Sequence, residues 1–187
     1  MNWDYPLFLW LNFDGGPIID TLMAIISGRL TWLPLYLLIL FLVWRKGGWR
    51  SVGIFTLCVI AAVGLSDIIT GIFKHAGLLK HAWESFPVRL RPMHTPELEG
   101  LMHITRGGSK YGTVSAHAAI STSIAFMAAR AIRHRVLTIC LVVWVVAVSY
   151  SRIYLACHFP QDILLGWGTG ILCALPAYWI YWRACRG

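Results

Sequence analysis

The chain has 187 residues, of which 58% are hydrophobic and only 13% charged, with a mean hydropathy of +0.66. Soluble domains carry about 25% charged residues, so the composition excludes one and defines an integral membrane protein, with a length that suits a single compact domain over residues 1–187. The net charge of +8 does not make it a nucleic-acid binder, because the charge is distributed by membrane side.

Residues 1–17 are short, aromatic and acidic, and Trp3, Tyr5, Phe8, Trp10 and Phe13 suit a segment lying among lipid headgroups. The acidic start lacks the basic region of a cleavable signal peptide. Asp14-Gly15-Gly16-Pro17 reads as a turn. Residues 18–28 are apolar but too short to span, which takes about 20 residues. Residues 1–29 are therefore expected to form an interfacial or re-entrant N-terminal segment. Leu30–Trp44 is the first predicted span, Arg45–Arg50 a basic turn and Ser51–Phe73 the second span. Residues 74–112 form a long polar loop, followed by a third span over Thr113–Ala129 and a basic turn over Arg130–Arg135. Val136–Tyr150 is the fourth span, 151–161 a second loop, and Asp162–Trp182 the fifth span, before a short basic tail. The expected fold is an all-α polytopic membrane helix bundle of about five transmembrane helices plus an N-terminal interfacial helix.

The two basic turns and the tail hold eight Lys and Arg residues and no Asp or Glu; the other side holds all eight acidic residues and the remaining eight basic ones. The positive-inside rule makes the first side cytoplasmic. The 74–112 and 151–161 loops then meet on the extracytoplasmic face.

Those loops carry the chemistry. Ser151-Arg152 and His158-Phe159-Pro160-Gln161-Asp162 lie between two apolar runs, where ionisable residues mark function. Arg152 can hold an anion in a planar fork. His158 can be nucleophile or base, and Asp162, four residues on, can orient its imidazole. Pro160 is favoured in a first helical turn, so His158 is expected at the end of a loop and Asp162 at the start of a helix, where free N–H groups favour an anion. Lys74 to Arg91-Pro92 and Tyr111 to His117 supply further Lys, Arg, Ser and His residues on the same face. Basic groups around a helix N-terminus suit a phosphoryl group. Ser115 is placed as an N-cap, and two histidines divide into a nucleophile and a general acid. Asp67 reads as a structural partner behind the site. The spacings of His75, His81, His94 and His103 match no common zinc pattern, so no metal is expected. The five cysteines include no C-x-x-C pair, and Cys157, beside His158, reads as a packing residue.

These residues resemble the type 2 phosphatidic acid phosphatases, the PAP2 or acid phosphatase/haloperoxidase superfamily, whose motifs are K-x6-R-P, P-S-G-H and S-R-x5-H-x3-D. The third is complete as Ser151-Arg152, His158 and Asp162; four fixed positions arise by chance roughly once in a thousand chains of this length. The second survives as Val114-Ser115-Ala116-His117, with Val for Pro and Ala for Gly. The first ends at Arg91-Pro92, but Glu84 stands where its lysine belongs, so that Lys74, beside the end of the second span, or Lys80 takes the lysine role. The resemblance covers Asp67 to Gly168.

The resemblance implies a bacterial membrane lipid phosphatase without cofactors. His158 would form a phosphohistidine, Asp162 would orient it, and His117 would protonate the leaving alkoxide and later activate water. Lys74, Arg91, Ser115 and Arg152 would hold the phosphate oxygens. The expected substrate is a membrane lipid phosphate or diphosphate of the undecaprenyl diphosphate, phosphatidylglycerophosphate or lipid A type, met at the periplasmic face of the cytoplasmic membrane. The competing expectations are transfer of the phosphoryl group to another acceptor and a non-catalytic membrane protein that binds or transports phospholipid. The 75–90 insertion is expected at the site mouth, where it would shape headgroup choice.

Overall fold

The computed structural model describes residues 3–74, 88–105 and 107–186. Lys80, His75, His81, Glu84, Arg106 and most of the 75–90 insertion lie outside them. The described α-helices are α1 (Tyr5–Leu11), α2 (Gly16–Ile26), α3 (Leu33–Ile72), α4 (Ala116–Ile132), α5 (Arg135–Tyr154) and α6 (Pro160–Arg186). Among the described residues no strand forms, and Leu90 and Tyr111 make an isolated antiparallel bridge. The protein is an all-α membrane bundle. Helices α3, α5 and α6 are long and apolar enough to cross a bilayer.

Local chemistry explains the helix ends. Proline stands in the first turn of α1, α2 and α3, where its missing N–H costs nothing. The side chain of Asp14 accepts from the Gly16 N–H at 2.9 Å and shapes the turn into α2. Ser115 caps α4, and His134 caps α5 through Nδ1, which accepts from Leu137 N at 3.3 Å.

The Arg45–Arg50 segment is the expected basic turn, and a tight one: α3 consists of two helical halves that meet at Gly48, which alone leaves helical geometry, at φ 65° and ψ −170°. Glycine enters that left-handed region without a Cβ clash, so a single residue reverses the chain. Both halves meet at the basic end of the bundle: Lys46 donates to the Ile132 carbonyl and Arg50 to the Ala184 carbonyl. At the opposite end, Trp32 shares a cavity with His117, and Lys74 follows Ile72.

The main core packs Ile39, Val43, Phe55, Met127, Leu141 and Trp144 between the helices. Leu57, Ile60, Val143 and Leu172 project outward, as lipid-facing side chains do. Helices α4 and α6 cross closely on small residues. A Cβ at Gly166 would lie 2.7 Å from the Ser115 carbonyl, and one at Gly170 would press on the Ala119 carbonyl and stand 2.9 Å from Thr122 Cβ. Ser123 Oγ donates to the Gly170 carbonyl at 2.9 Å. Such small-residue contacts let membrane helices pack by backbone approach. Here they fix the start of α4, with His117, against the start of α6, with Asp162. A second core closes that end of the bundle: Phe159 stacks on Tyr5 and meets Phe8 edge-on, docking α1 onto the turn before α6.

Candidate active site

The turn between α5 and α6 is built by its own backbone. Cys157 N and His158 N both donate to the Arg152 carbonyl, at 2.9 and 3.2 Å, and Ala156 takes φ 51° to allow it. This helix-ending pattern satisfies carbonyls that α5 would otherwise leave bare. Pro160 then opens α6, and Asp162 Oδ2 reaches back to accept from Phe159 N at 2.9 Å. His158 and Asp162 are both almost fully buried.

His158 Nδ1 lies 2.9 Å from the Gly112 carbonyl and 3.3 Å from Asp162 Oδ2. A carbonyl oxygen only accepts, so Nδ1 carries the proton and Nε2 keeps its lone pair. The nearer orienting group is therefore a main-chain oxygen, and Asp162 shares the role. Residues 89–91 and 110–113 hold that oxygen in place: Gly112 N donates to the Arg89 carbonyl at 2.9 Å, Arg91 N to the Lys110 carbonyl at 3.0 Å, and Arg89 N to Thr113 Oγ1 at 2.8 Å. Gly112 has no room for a side chain, since a Cβ would stand 2.7 Å from Arg91 Cγ and 3.2 Å from His158 Cε1.

Lys74, Arg91 and Arg152 lie close enough to act on the charge of His158. Burial, and then these three cations, hold its imidazole well below the usual histidine range, against the opposing pull of the Gly112 carbonyl. Lys74 is lowered to about 8, first by burial and then by Arg91, with Asp67 pulling the other way. Arg91 is aimed by its Nε, which donates to the Tyr111 carbonyl at 3.1 Å. Arg152 donates to the hydroxyl of buried Ser27, at the end of α2. Ser115 is fully buried: its N–H donates to the Asp162 carbonyl at 3.0 Å and its Oγ accepts from Ala118 N at 3.4 Å. The next two N–H groups, of Ala116 and His117, have no acceptor within the helix. Ala116 is an ordinary first helical residue with no positive φ, so its Cβ fits where the family pattern has glycine. His117 faces a cavity of about 250 Å³ lined also by Arg29, Trp32, Tyr36, Ile120 and Trp144.

The structure thus gathers Lys74, Arg91, Ser115, His117, Arg152, His158 and Asp162 at one end of the bundle. Two contributors were not singled out from sequence. Gly112 lies in the quoted Tyr111–His117 stretch and could have been noticed as its one glycine. Ser27 carries no local signal, because only the fold brings it to Arg152. His103 bonds Asp20 at 2.8 Å and approaches Asp14 at 3.7 Å, tying the loop to α2, while His94 meets the Gly108 carbonyl at 3.1 Å.

Helices that cross a bilayer, with a buried histidine ringed by cations at their ends, define a membrane protein built to handle a phosphoryl group. The model of the PAP2 superfamily matches residues 55–186, and the chain belongs to that superfamily. A lipid A 4'-phosphatase of Bacteroides thetaiotaomicron is 30% identical over 167 residues, spanning 87% of this chain and 70% of the relative. A lipid A 4'-phosphatase of Porphyromonas gingivalis is 30% identical over 177 residues, spanning 94% and 71%. The crystal structure of Aquifex aeolicus LpxE shares the fold, with a TM-score of 0.63 and 20% identity over 95% of both chains. The protein is a membrane lipid phosphatase of the PAP2 type.

Proposed function

We propose that the protein removes the terminal phosphate of a lipid A type substrate through a phosphohistidine on His158. The observation that carries the mechanism is the Nδ1 contact to the Gly112 carbonyl, which dedicates Nε2 to attack. Lys74, Arg91, Arg152 and the N–H groups at the start of α4 bind the phosphate oxygens. The Nε2 lone pair attacks phosphorus, the bond to the lipid oxygen breaks, and His117 gives that oxygen its proton. A bound phosphate dianion favours the imidazolium this step needs. His117 then takes a proton from water, the resulting hydroxide attacks phosphorus, the N–P bond breaks and orthophosphate leaves.

The substrate assignment rests on the two relatives named as lipid A 4'-phosphatases. Undecaprenyl diphosphate and phosphatidylglycerophosphate fit the same chemistry. The site faces the periplasm of a bacterial cytoplasmic membrane in this reading, supported by the confinement of the net charge to the opposite end. The test is orthophosphate release by purified protein in detergent with EDTA, on lipid A, undecaprenyl diphosphate and phosphatidylglycerophosphate, beside His158→Ala. Release from lipid A by the parent alone supports the proposal. Release that survives the substitution overturns the mechanism, and preference for another lipid overturns the substrate. Phosphate appearing on a second lipid rather than in solution would make the enzyme a transferase.

A further inference from the structure

Behind Asp162, on the side away from His158, lies a second buried charge cluster that neither the motifs nor the mechanism above uses. Arg89 grips Asp4 with both terminal nitrogens, NH1 to Oδ2 at 2.9 Å and NH2 to Oδ1 at 2.7 Å. The same NH1 stands 3.7 Å from Asp162 Oδ1. The guanidinium lies over the Phe159 ring, its central carbon 3.7 Å from the centroid, with the Tyr5 ring at 5.4 Å. Asp4 is 0% exposed and Asp162 1%, and Gln161 N donates to Asp4 Oδ2 at 3.4 Å. One guanidinium therefore sits between two buried carboxylates, clamped by an aromatic residue from the catalytic turn itself.

The geometry points to Arg89 and Asp4 as positioning residues for Asp162. This rests on the reading in which Asp162 orients His158. A buried carboxylate without a cation takes up a proton. Protonated, Asp162 would lose its charge-assisted hold on His158 and could no longer stabilise the imidazole as positive charge develops. Arg89 supplies the cation at Oδ1, which leaves Oδ2 for His158 Nδ1 and Phe159 N. Asp4 is equally necessary. An Arg89 without it would be free to close on Asp162 in a bidentate pair and pull the carboxylate off the histidine. The bidentate grip of Asp4 holds NH1 at 3.7 Å, near enough to favour the charged carboxylate against its burial and too far to capture it. The arrangement needs a planar fork with two parallel donors, which lysine cannot supply.

The test is kcat and KM against pH for Arg89→Gln, Arg89→Lys and Asp4→Asn, with vanadate affinity measured alongside. Arg89→Gln is expected to lower kcat at pH 7 by about 10- to 100-fold, the usual effect of losing an outer partner of a functional group. KM and vanadate affinity should stay within about threefold, because the phosphate-binding cations are untouched. The acid limb of kcat/KM should move up by about one pH unit, so that the deficit shrinks as pH rises. Arg89→Lys should restore the position of the limb but only part of kcat. Asp4→Asn should lower kcat without raising the limb, since Arg89 remains. A deficit in Arg89→Gln that is equal at every pH, with the limb unmoved, would overturn the proposal, as would parental activity. Should Arg89→Gln fail to fold, Arg89→Lys and Asp4→Asn decide the matter: parental kcat in both would overturn it. Failure of the underlying mechanism is distinguishable, because it appears as activity in His158→Ala.

Discussion

Among the cations gathered at the site, Lys74 is the one lowered towards neutrality. Lowered to about 8 by burial and by Arg91, its ammonium is charged below that pH and neutral above it. Binding of a phosphate dianion should weaken as pH rises through about 8, giving kcat/KM a basic limb there. Lys74→Arg keeps its charge and is expected to move that limb above pH 9 in a pH–rate profile; an unmoved limb would assign it elsewhere. His158, neutral far below the usual histidine range, should contribute no acid limb near pH 6. Gly112→Ala would push on Arg91 Cγ and His158 Cε1, and an error of order 1 Å at a reacting group can cost about 100-fold. We expect kcat to fall by at least ~10-fold with the protein still folded, measured as steady-state phosphate release. At this scale the site was largely legible. The spacing of Arg152, His158 and Asp162 is local, and one turn plus one helix start brings them together. Gly112 was less legible, because its part is played by a carbonyl oxygen, which every residue has. Lys74 stands beside the end of a helix and could be placed in the site, while Lys80 lies outside the described residues.

Among the elements, the α4–α6 crossing holds the start of α4, with Ser115 and His117, against the start of α6, with Asp162. Gly170→Val would force two methyl groups between Ala119 and Thr122. Overpacking of this kind costs about 1–3 kcal/mol, so a lowered Tm and lost activity are expected together, measured by thermal unfolding in detergent. Gly168→Ala, where nothing lies within 4 Å of the added Cβ, is the control expected to retain both. Ser27→Ala removes the α2 hydroxyl that Arg152 binds and should raise KM several-fold with little change in kcat, read from the same assay. The apolar runs made the apolar helices legible, since a long apolar run in a bilayer can satisfy its backbone only by coiling on itself. The reversal at 45–50 was legible as a basic turn with two glycines; its tightness, a single residue at positive φ between two helical halves, was not. Gly166 and Gly170 were not singled out from sequence, because nothing local names the helix they press against.

For the whole molecule, the decisive asymmetry is electrical. The basic middle of α3 and the basic ends of α4 and α6 gather on one side through the Lys46–Ile132 and Arg50–Ala184 contacts, and the site occupies the other. In intact spheroplasts, an impermeant maleimide should modify Ser109→Cys and leave Arg135→Cys untouched until lysis; the reverse pattern would invert the proposed orientation. Both positions are exposed, and the parent with its own cysteines sets the background. Charge counting made this sidedness legible because it needs no tertiary structure, whereas the docking of α1 depends on pairings between opposite ends of the chain. That docking bears on how the protein is made. Tyr5 and Phe8 rest on Phe159, and Asp4 meets Gln161 N. Helix α1 thus binds a surface that exists only after some 150 further residues have been synthesised. Until then α1 must wait at the membrane surface with its carboxylate in water. A nascent chain halted before α6 would already carry His158, Arg89 and Asp4 but lack Asp162, so the buried charge cluster behind the proposed site can close only once α6 has been made.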